Sequence, residues 1–84
     1  MIESKVQKSL IDELERNGFY VIKLSVTNKN GIPDIVALPK GCDAVFYEVK
    51  QKGKKPSKLQ EFRIKELKNH GIKVFVHDGD TTER

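Results

Sequence analysis

Two segments of the chain carry apolar residues at helical spacing. In the first, apolar side chains recur every three or four positions up to an Asn-Gly pair at 17–18, which is a helix stop, so a helix is predicted over 2–17. Its apolar positions are Ile2, Val6, Leu10, Ile11 and Leu14. Ser57 is predicted to start a second helix of about 13 residues that ends near Asn69.

Four shorter segments are rich in β-branched and aromatic residues, as strands are. They are residues 19–25, 32–38, 44–50 and 72–77. Glycine, asparagine and proline residues fill the connections between them, and the connection 39–43 suits a hairpin. Pro33 has no N–H to donate to a ladder, so it must lie at the start of its strand or on a sheet edge.

The predicted elements follow the order αβββαβ. A strand–helix–strand crossover implies a parallel pair of strands, whereas the short connections among the first three strands favour antiparallel pairing. We therefore predict an α/β fold, in the sense of an α+β mixed sheet of four strands flanked by helices. A chain of 84 residues allows one stand-alone domain, residues 1–84. Its core is expected over about 3–76, followed by a polar tail over 78–84.

The composition adds a basic charge and little else. The net charge is +4 and the pI is near 9.3, which makes polyanions plausible partners without showing where they would bind. Cys42 is the only cysteine, so no internal disulfide can form and no second thiol is present for a zinc site. No apolar stretch approaches the ~20 residues that span a bilayer, and the first residues lack the features of a signal peptide. We expect a cytoplasmic protein with no membrane partner.

A glutamate and a lysine share one face of the predicted third strand. Side chains alternate faces along a strand, so Glu48 and Lys50 project together from the end of a largely apolar segment. A glutamate in such a segment is costly if it is buried without a partner. The ordinary alternative is a Glu–Lys pair at an exposed strand end.

Asp34 lies early in the preceding strand, in the sequence Gly-Ile-Pro-Asp. If the two strands pair as a hairpin, the start of one meets the end of the other, and Asp34 lies near Glu48. Two carboxylates at one sheet end repel each other unless a cation or a proton neutralises them. Mg²⁺ prefers hard oxygen ligands of this kind. The more common role of an aspartate beside Pro33 is an Asx-type turn.

The first predicted helix carries an acid on its apolar face. Glu3 projects between Leu10 and Leu14 when the helix is viewed down its axis, and an acid there calls for a partner. Two alternatives remain open. Glu3 could lie in a frayed first turn, where an acid suits the helix dipole, or a Ser4–Gln7 capping box could leave it outside the helix.

The second predicted helix carries Gln60 between Ile64 and Leu67. Ser57-x-x-Gln60 is also a capping box, and the capping role and a role in a site could compete or coexist. Four lysines surround this helix start, at positions 52, 54, 55 and 58. Such a cluster is usually a solvated loop, but here it follows the candidate site and leads to a helix N-terminus, which favours anions. Lys52, Lys54, Lys55 and Lys58 are therefore candidate contacts to DNA phosphates.

These residues together resemble a known family. Gly-Ile-Pro-Asp, then Glu-Val-Lys at 48–50, then Ser-Lys-Leu-Gln at 57–60 is similar to the virus-type replication-repair nuclease (VRR-NUC) domain, a compact branch of the PD-(D/E)xK nuclease superfamily. The resemblance covers roughly residues 3–76, and the order αβββαβ is also that of the superfamily core.

The resemblance implies a metal-dependent DNA endonuclease. Asp34 and Glu48, with the backbone carbonyl of Val49, would bind Mg²⁺, for which Mn²⁺ would substitute. Lys50 would orient or help deprotonate the attacking water and offset charge in the transition state.

Two helix residues also match the family pattern. Glu3 matches an acid that holds a water or a second ion, and Gln60 matches a glutamine that steadies the lysine or the water. The substrate would be duplex or branched DNA in replication, repair or recombination, Holliday junctions included. The protein would act as a homodimer, in the host cytoplasm if viral or phage-encoded.

Two other classes of function compete with this interpretation. A non-catalytic nucleic-acid-binding module with a nuclease-like fold predicts salt-sensitive binding without cleavage. A structural or interaction protein, such as a small phage subunit, predicts no DNA binding. The acid–acid–lysine set argues against the first, because a binder gains nothing from carboxylates that face phosphate; in the second, Glu48 and Lys50 would form a surface pair.

Overall fold

The computed structural model describes residues 2–41 and 43–79. Two helices and four strands lie in this part of the chain, in the predicted order αβββαβ. They are α1 (Glu3–Arg16), β1 (Tyr20–Lys23), β2 (Ile35–Leu38), β3 (Val45–Val49), α2 (Lys58–Asn69) and β4 (Lys73–His77). Cys42 and most of the predicted polar tail, residues 80–84, lie outside the described residues.

The sheet is mixed, as predicted, and its strands follow the order β1-β2-β3-β4. The first three strands pair antiparallel, and β4 joins β3 in parallel after the crossover through α2. Because of this connectivity, the carboxyl ends of β1, β3 and β4 and the amino end of β2 lie at one end of the sheet. The candidate residues on β2 and β3 lie at that end.

Helix α1 and one face of the sheet form the core. The buried members are the helix residues Val6, Leu10 and Leu14 and the strand residues Ile35, Ala37 and Val49. The alternation of strand side chains explains why Ile35 and Ala37 point to the same face. The helical prediction for the first segment is confirmed over Glu3–Arg16, since Val6, Leu10 and Leu14 pack on the sheet with Ile11 partly buried beside them. Ile2 is the exposed N-cap and does not belong to the packed face.

All four strands are shorter than their predicted segments, and β1 and β2 differ the most. Strand β1 ends at Lys23 rather than residue 25, although Leu24 still donates its N–H to the Asp34 carbonyl at 2.8 Å. Strand β2 begins at Ile35 rather than residue 32. Pro33 is buried just before it, where its missing N–H disturbs no ladder, as expected.

Helix α2 packs on the sheet through partly buried side chains, and none of its residues is fully buried. Its amino-terminal part is held against the connection between β1 and β2. Arg63 Nε donates to the Asn30 carbonyl at 2.8 Å. A Cβ atom at Gly31, whose φ is +81°, would lie 2.8 Å from Leu59 Cγ, so this close approach needs glycine. The start of α2 therefore lies over the segment that leads into Asp34.

No helix in the described part of the chain is long and apolar enough to cross a membrane.

Candidate active site

Asp34 and Glu48 meet across the β2–β3 hairpin. The strands pair in the register that sets Ile35 opposite Tyr47, so the next positions outward, 34 and 48, also come opposite each other. Asp34 Oδ2 accepts a hydrogen bond of 2.8 Å from the backbone N–H of Val49. The expectation that hairpin pairing brings Asp34 near Glu48 is confirmed.

Glu48 is a carboxylate buried at the end of β3. The residue is 0% exposed, which is costly for a charge unless it has partners. Its Oε2 accepts a hydrogen bond of 3.0 Å from Gln60 Nε2 and lies 3.8 Å from Lys50 Nζ. Its Oε1 is buried and has no hydrogen-bond partner among the described residues. When Glu48 is ionised, the protein therefore holds one carboxylate oxygen and leaves the other unsatisfied, whereas the protonated carboxyl can hydrogen-bond Asp34.

The surroundings of Glu48 favour its protonated form. The pKa of Glu48 is raised from 4.5 to about 8, mainly by burial, and then by the charge of the nearby Asp34 carboxylate and by a side-chain hydrogen bond with it. The Lys50 ammonium opposes the increase, and the charge of Glu3 makes the smallest contribution to raising the pKa. A cation placed at the two carboxylates would favour the ionised form for the same electrostatic reason.

Lys50 lies on the Glu48 side of β3, as the alternation predicted. Its side chain is 15% exposed, so the ammonium group is largely withdrawn from solvent. Its backbone N–H donates to the His77 carbonyl at 2.9 Å, which extends the pairing of β3 with β4. The ordinary alternative, an exposed Glu–Lys pair, is wrong because both side chains are buried or nearly so.

Gln60 caps α2 and also contacts the candidate site, where its partner is Glu48 rather than Lys50. Its Oε1 accepts from the Ser57 N–H at 2.8 Å, and its backbone N–H donates to Ser57 Oγ at 3.2 Å, which completes the capping box. Its Nε2 donates to Glu48. A carboxamide has separate donor and acceptor ends, so capping and contact with the carboxylate coexist.

Glu3 is the first residue of α1 and is exposed. The Ser4–Gln7 capping box does not form, because the helix already begins at Glu3, with Ile2 as an N-cap that makes no side-chain hydrogen bond. The charge of Glu3 helps to raise the pKa of Glu48. Helical spacing had put Glu3 on the inner face of α1, but the residue is exposed. Its role in the site stays a prediction.

The four candidate DNA-contacting lysines are exposed beside the site. Lys52, Lys54 and Lys55 lie on the connection between β3 and α2, and Lys58 is the first residue of α2. In the described part of the chain none of them forms an ion pair, so their charges are available to a polyanion. An ordinary solvated loop, the alternative for this lysine cluster, would show the same exposure.

The sequence did not reveal that the β1–β2 connection forms a cleft beside the candidate site. Residues from Leu24 to Asp34 line a cleft that ends at the candidate aspartate, and Thr27 Oγ1 bonds the Lys29 carbonyl within it at 2.6 Å. Arg63 of α2 anchors this segment through the Asn30 carbonyl. Lys29 is the one charged side chain in residues 24–33. Its charge, in the connection that leads into Asp34, was the sequence signal that this connection borders the site.

The two carboxylates suit a hard divalent cation. No group of three or more His, Cys, Asp or Glu side chains within residues 2–41 and 43–79 could hold a metal ion. Mg²⁺ usually takes only one or two carboxylates and completes its shell with waters and substrate phosphate. Asp34 and Glu48, with the unsatisfied Oε1 of the latter, fit that requirement, whereas a structural zinc site would need four protein ligands.

A mixed αβββαβ sheet with two carboxylates and a lysine at the end of its central hairpin defines the class of PD-(D/E)xK nuclease domains. The model of the VRR-NUC domain family matches residues 23–81, and the chain belongs to this family. Membership supports a nuclease function and hydrolase activity. The family expected from the motifs, and the fold expected with it, are both confirmed.

Individual relatives agree with this assignment. The chain is 34% identical over 77 residues to the candidate nuclease p44 of Acyrthosiphon pisum secondary endosymbiont phage 1, covering 90% of this chain and 82% of that protein. A solved VRR-NUC domain superposes with a TM-score of 0.83 at 29% identity, over 96% of this chain and 89% of the other. A second VRR-NUC domain protein, at 19% identity and a TM-score of 0.78 over 98% and 82% of the two chains, shares the fold.

Proposed function

We propose that this protein is a metal-dependent DNA endonuclease that hydrolyses phosphodiester bonds in structured or branched DNA. The observation that carries the proposal is Glu48, a fully buried carboxylate opposite Asp34 that has one oxygen without a partner. Without a metal the two acids are tolerated because Glu48 keeps a proton, an arrangement from which a phosphate-binding module gains nothing. It is favourable once a divalent cation joins them.

Asp34 and Glu48 are the proposed ligands of Mg²⁺, with Mn²⁺ as a substitute. The Val49 carbonyl is the third proposed ligand. The N–H and C=O of a strand residue lie on the same side of the strand, and the Val49 N–H is bonded to Asp34, so the carbonyl also lies on the Asp34 side. When bound, the metal would orient the scissile phosphate, activate water and stabilise charge on the leaving oxygen.

Lys50 is proposed to orient the attacking water or to help deprotonate it. Its ammonium lies 3.8 Å from Glu48 Oε2, so it can hydrogen-bond a water or a phosphate oxygen beside the carboxylates. Its positive charge would offset the negative charge that develops on the phosphate. Gln60 holds Glu48 in place, and Glu3 is proposed to hold a water at the edge of the site.

The exposed lysines are proposed to bind the DNA backbone. Lys52, Lys54, Lys55 and Lys58 lie where a strand leaving the site would pass over the start of α2, which itself favours phosphate. Duplex, flap and four-way junction DNA are the substrates to compare, in keeping with action in replication, repair or recombination in the cytoplasm of a host cell.

A homodimer is part of the proposal. The buried core of the described residues is small, and the β4 edge strand leaves Phe75 and Val76 about half exposed, at 51% and 49%. An unpaired edge with apolar side chains is a template for association. Light scattering on the purified protein tests this, with Phe75→Lys expected to shift the mass towards that of one chain.

A cleavage assay decides the activity. Wild type, Asp34→Ala and Lys50→Ala are incubated with duplex, single-stranded, flap and four-way junction DNA, in Mg²⁺, in Mn²⁺ and in EDTA. Cleavage by the wild type alone, abolished by EDTA, is the expected result. Salt-sensitive binding with no cleavage under any condition would establish the non-catalytic alternative, and undiminished cleavage by either variant would contradict the assigned site.

A further inference from the structure

The side-chain amide of Gln60 is hydrogen-bonded at both of its polar atoms. Oε1 accepts from the Ser57 N–H at 2.8 Å, and Nε2 donates to Glu48 Oε2 at 3.0 Å. Ser57 Oγ in turn accepts from the Gln60 backbone N–H at 3.2 Å. Because a carboxamide has one acceptor end and one donor end, the capping box fixes which end Gln60 presents to Glu48.

We infer that Ser57 is a positioning residue of the active site, which acts on Glu48 through Gln60. A glutamine side chain free in solution samples many rotamers, and holding it in one of them costs conformational entropy. Because the capping box forms when α2 folds, the Gln60 side chain is already ordered before any ligand binds. The helix start and the buried carboxylate thereby become parts of one hydrogen-bonded unit.

The consequence for Glu48 concerns its two oxygens. Gln60 and Lys50 occupy the surroundings of Oε2, and Oε1 has no partner among the described residues. As long as Gln60 stays in place, the carboxylate is held by Oε2 and Oε1 remains the oxygen available to a cation. Hydrogen bonds of this kind, one step removed from the metal, typically change metal affinity by about 10- to 100-fold when they are lost. The metal part of this inference rests on the proposed function.

The test separates positioning from helix stability. Ser57→Ala removes the hydroxyl that accepts from the Gln60 backbone N–H and so loosens the start of α2, although the Ser57 N–H that bonds Gln60 Oε1 is kept. Ser57→Thr keeps an equivalent acceptor and should rescue. Lys68→Gly is the matched control, because Lys68 is exposed at the other end of α2 and a glycine there weakens the same helix without touching the capping box. Thermal unfolding identifies how far each variant destabilises the protein.

Two further measurements are made on each protein. The NMR signals of the Gln60 side-chain amide are recorded on the metal-free protein, and Mn²⁺ binding without DNA is measured by calorimetry. We expect Ser57→Ala to shift or broaden the Gln60 amide signals and to weaken Mn²⁺ binding about three- to tenfold. Ser57→Thr and Lys68→Gly should retain both properties of the wild type.

Two results would overturn the inference. One is a Ser57→Ala protein that is destabilised like Lys68→Gly but keeps the wild-type amide signals. The other is unchanged Mn²⁺ affinity in Ser57→Ala when the wild type binds the ion. A wild type that binds no divalent ion contradicts the proposed function instead, and in that case the amide signals still decide whether Ser57 positions Gln60.

Discussion

The Asp34 carboxylate accepts the backbone N–H of Val49 at 2.8 Å while it faces Glu48 across the hairpin. One side chain therefore both ties the start of β2 to the end of β3 and supplies charge to the candidate metal site. These two contributions can be separated, because an amide in place of the carboxylate keeps an acceptor oxygen but loses the charge.

Substitutions at Asp34 should distinguish its hydrogen bond with Val49 from the contribution of its charge to the candidate metal site. Asp34→Asn keeps an acceptor for the Val49 N–H and should stay near wild-type stability, with Mn²⁺ binding and cleavage lost. Asp34→Ala also leaves that N–H without its partner and should cost about 1–3 kcal/mol of unfolding free energy in addition. Urea unfolding and calorimetry check both variants. Equal stability of the two would argue that the hydrogen bond between Val49 and Asp34 does not stabilise the hairpin.

The stability of the metal-free protein should fall as the pH rises. Folded Glu48 keeps its proton up to about pH 8, whereas the unfolded chain releases it near 4.5. The folded state therefore binds more protons between these two values, so stability is lost as the pH rises through this window. The shift corresponds to a loss of roughly 3–5 kcal/mol over the whole window.

Urea unfolding in EDTA at pH 5 and at pH 8.5 measures this loss. Glu48→Gln, which is neutral and similar in shape, should remove most of the pH dependence, and Mg²⁺ should restore the wild type at pH 8.5 because it binds the ionised form. If the unfolding free energy of Glu48→Gln depends on pH as strongly as that of the wild type, another group is responsible for the pH dependence.

Removing the Lys50 ammonium should reduce cleavage without weakening metal binding. Lys50→Ala is expected to lower kcat by about 10²- to 10⁴-fold, the usual range for a lost proton-transfer or charge-stabilising group. Mn²⁺ affinity should stay the same or rise, because a positive charge beside Glu48 Oε2 is gone. Lys40→Ala is the control, since Lys40 is exposed on the β2–β3 turn at the far end of the hairpin. A parallel loss of metal binding would assign Lys50 a structural role.

The lysines before α2 should set the salt dependence of DNA binding. Four phosphate contacts give a slope of about −3.6 in log affinity against log salt, and each Lys→Ala change at positions 52, 54, 55 and 58 should reduce its magnitude by about 0.9. Fluorescence anisotropy in Ca²⁺, which replaces Mg²⁺ to prevent cleavage, provides the measurement. Lys40→Ala should leave the slope unchanged, and a slope indifferent to all four changes would remove these lysines from the interface.

Gly31 should be intolerant of a side chain for two separable reasons. Gly31 and Gly71 have almost the same φ, +81° and +82°, but only at Gly31 would a Cβ meet a neighbour, Leu59 Cγ at 2.8 Å. Gly71→Ala should therefore cost only the backbone penalty of about 1–2 kcal/mol, while Gly31→Ala should cost about 1–3 kcal/mol more. Equal losses in thermal unfolding would show that Leu59 moves aside freely.

The central part of the site could be predicted because it depends on local rules. Strand alternation places Glu48 beside Lys50, and a hairpin of the observed length brings Asp34 opposite Glu48. Membership in the nuclease family follows from the same motifs. These relationships need only the pairing of two neighbouring strands, which the intervening turn determines.

The rest depends on contacts between distant segments. Helical spacing put Glu3 on the inner face of α1, but it could not show that the first residue of the helix is exposed. Capping and a contact with Glu48 were alternatives for Gln60 until α2 was placed over the end of β3. Likewise, the run of strand-forming residues up to Leu24 and Ser25 favoured a longer strand, and only the pairing with β2 shows where β1 ends.

Helix α2 has a further consequence because it buries no residue completely, whereas α1 buries three. Segments with few buried apolar side chains open at lower free energy than the core they rest on. Hydrogen exchange should thus be faster in α2 than in α1 and β3. On heating, enzymatic inactivation should precede the melting of the sheet, since Gln60 leaves Glu48 when α2 detaches. The working temperature of such an enzyme would be set by its most weakly attached helix rather than by the stability of its core.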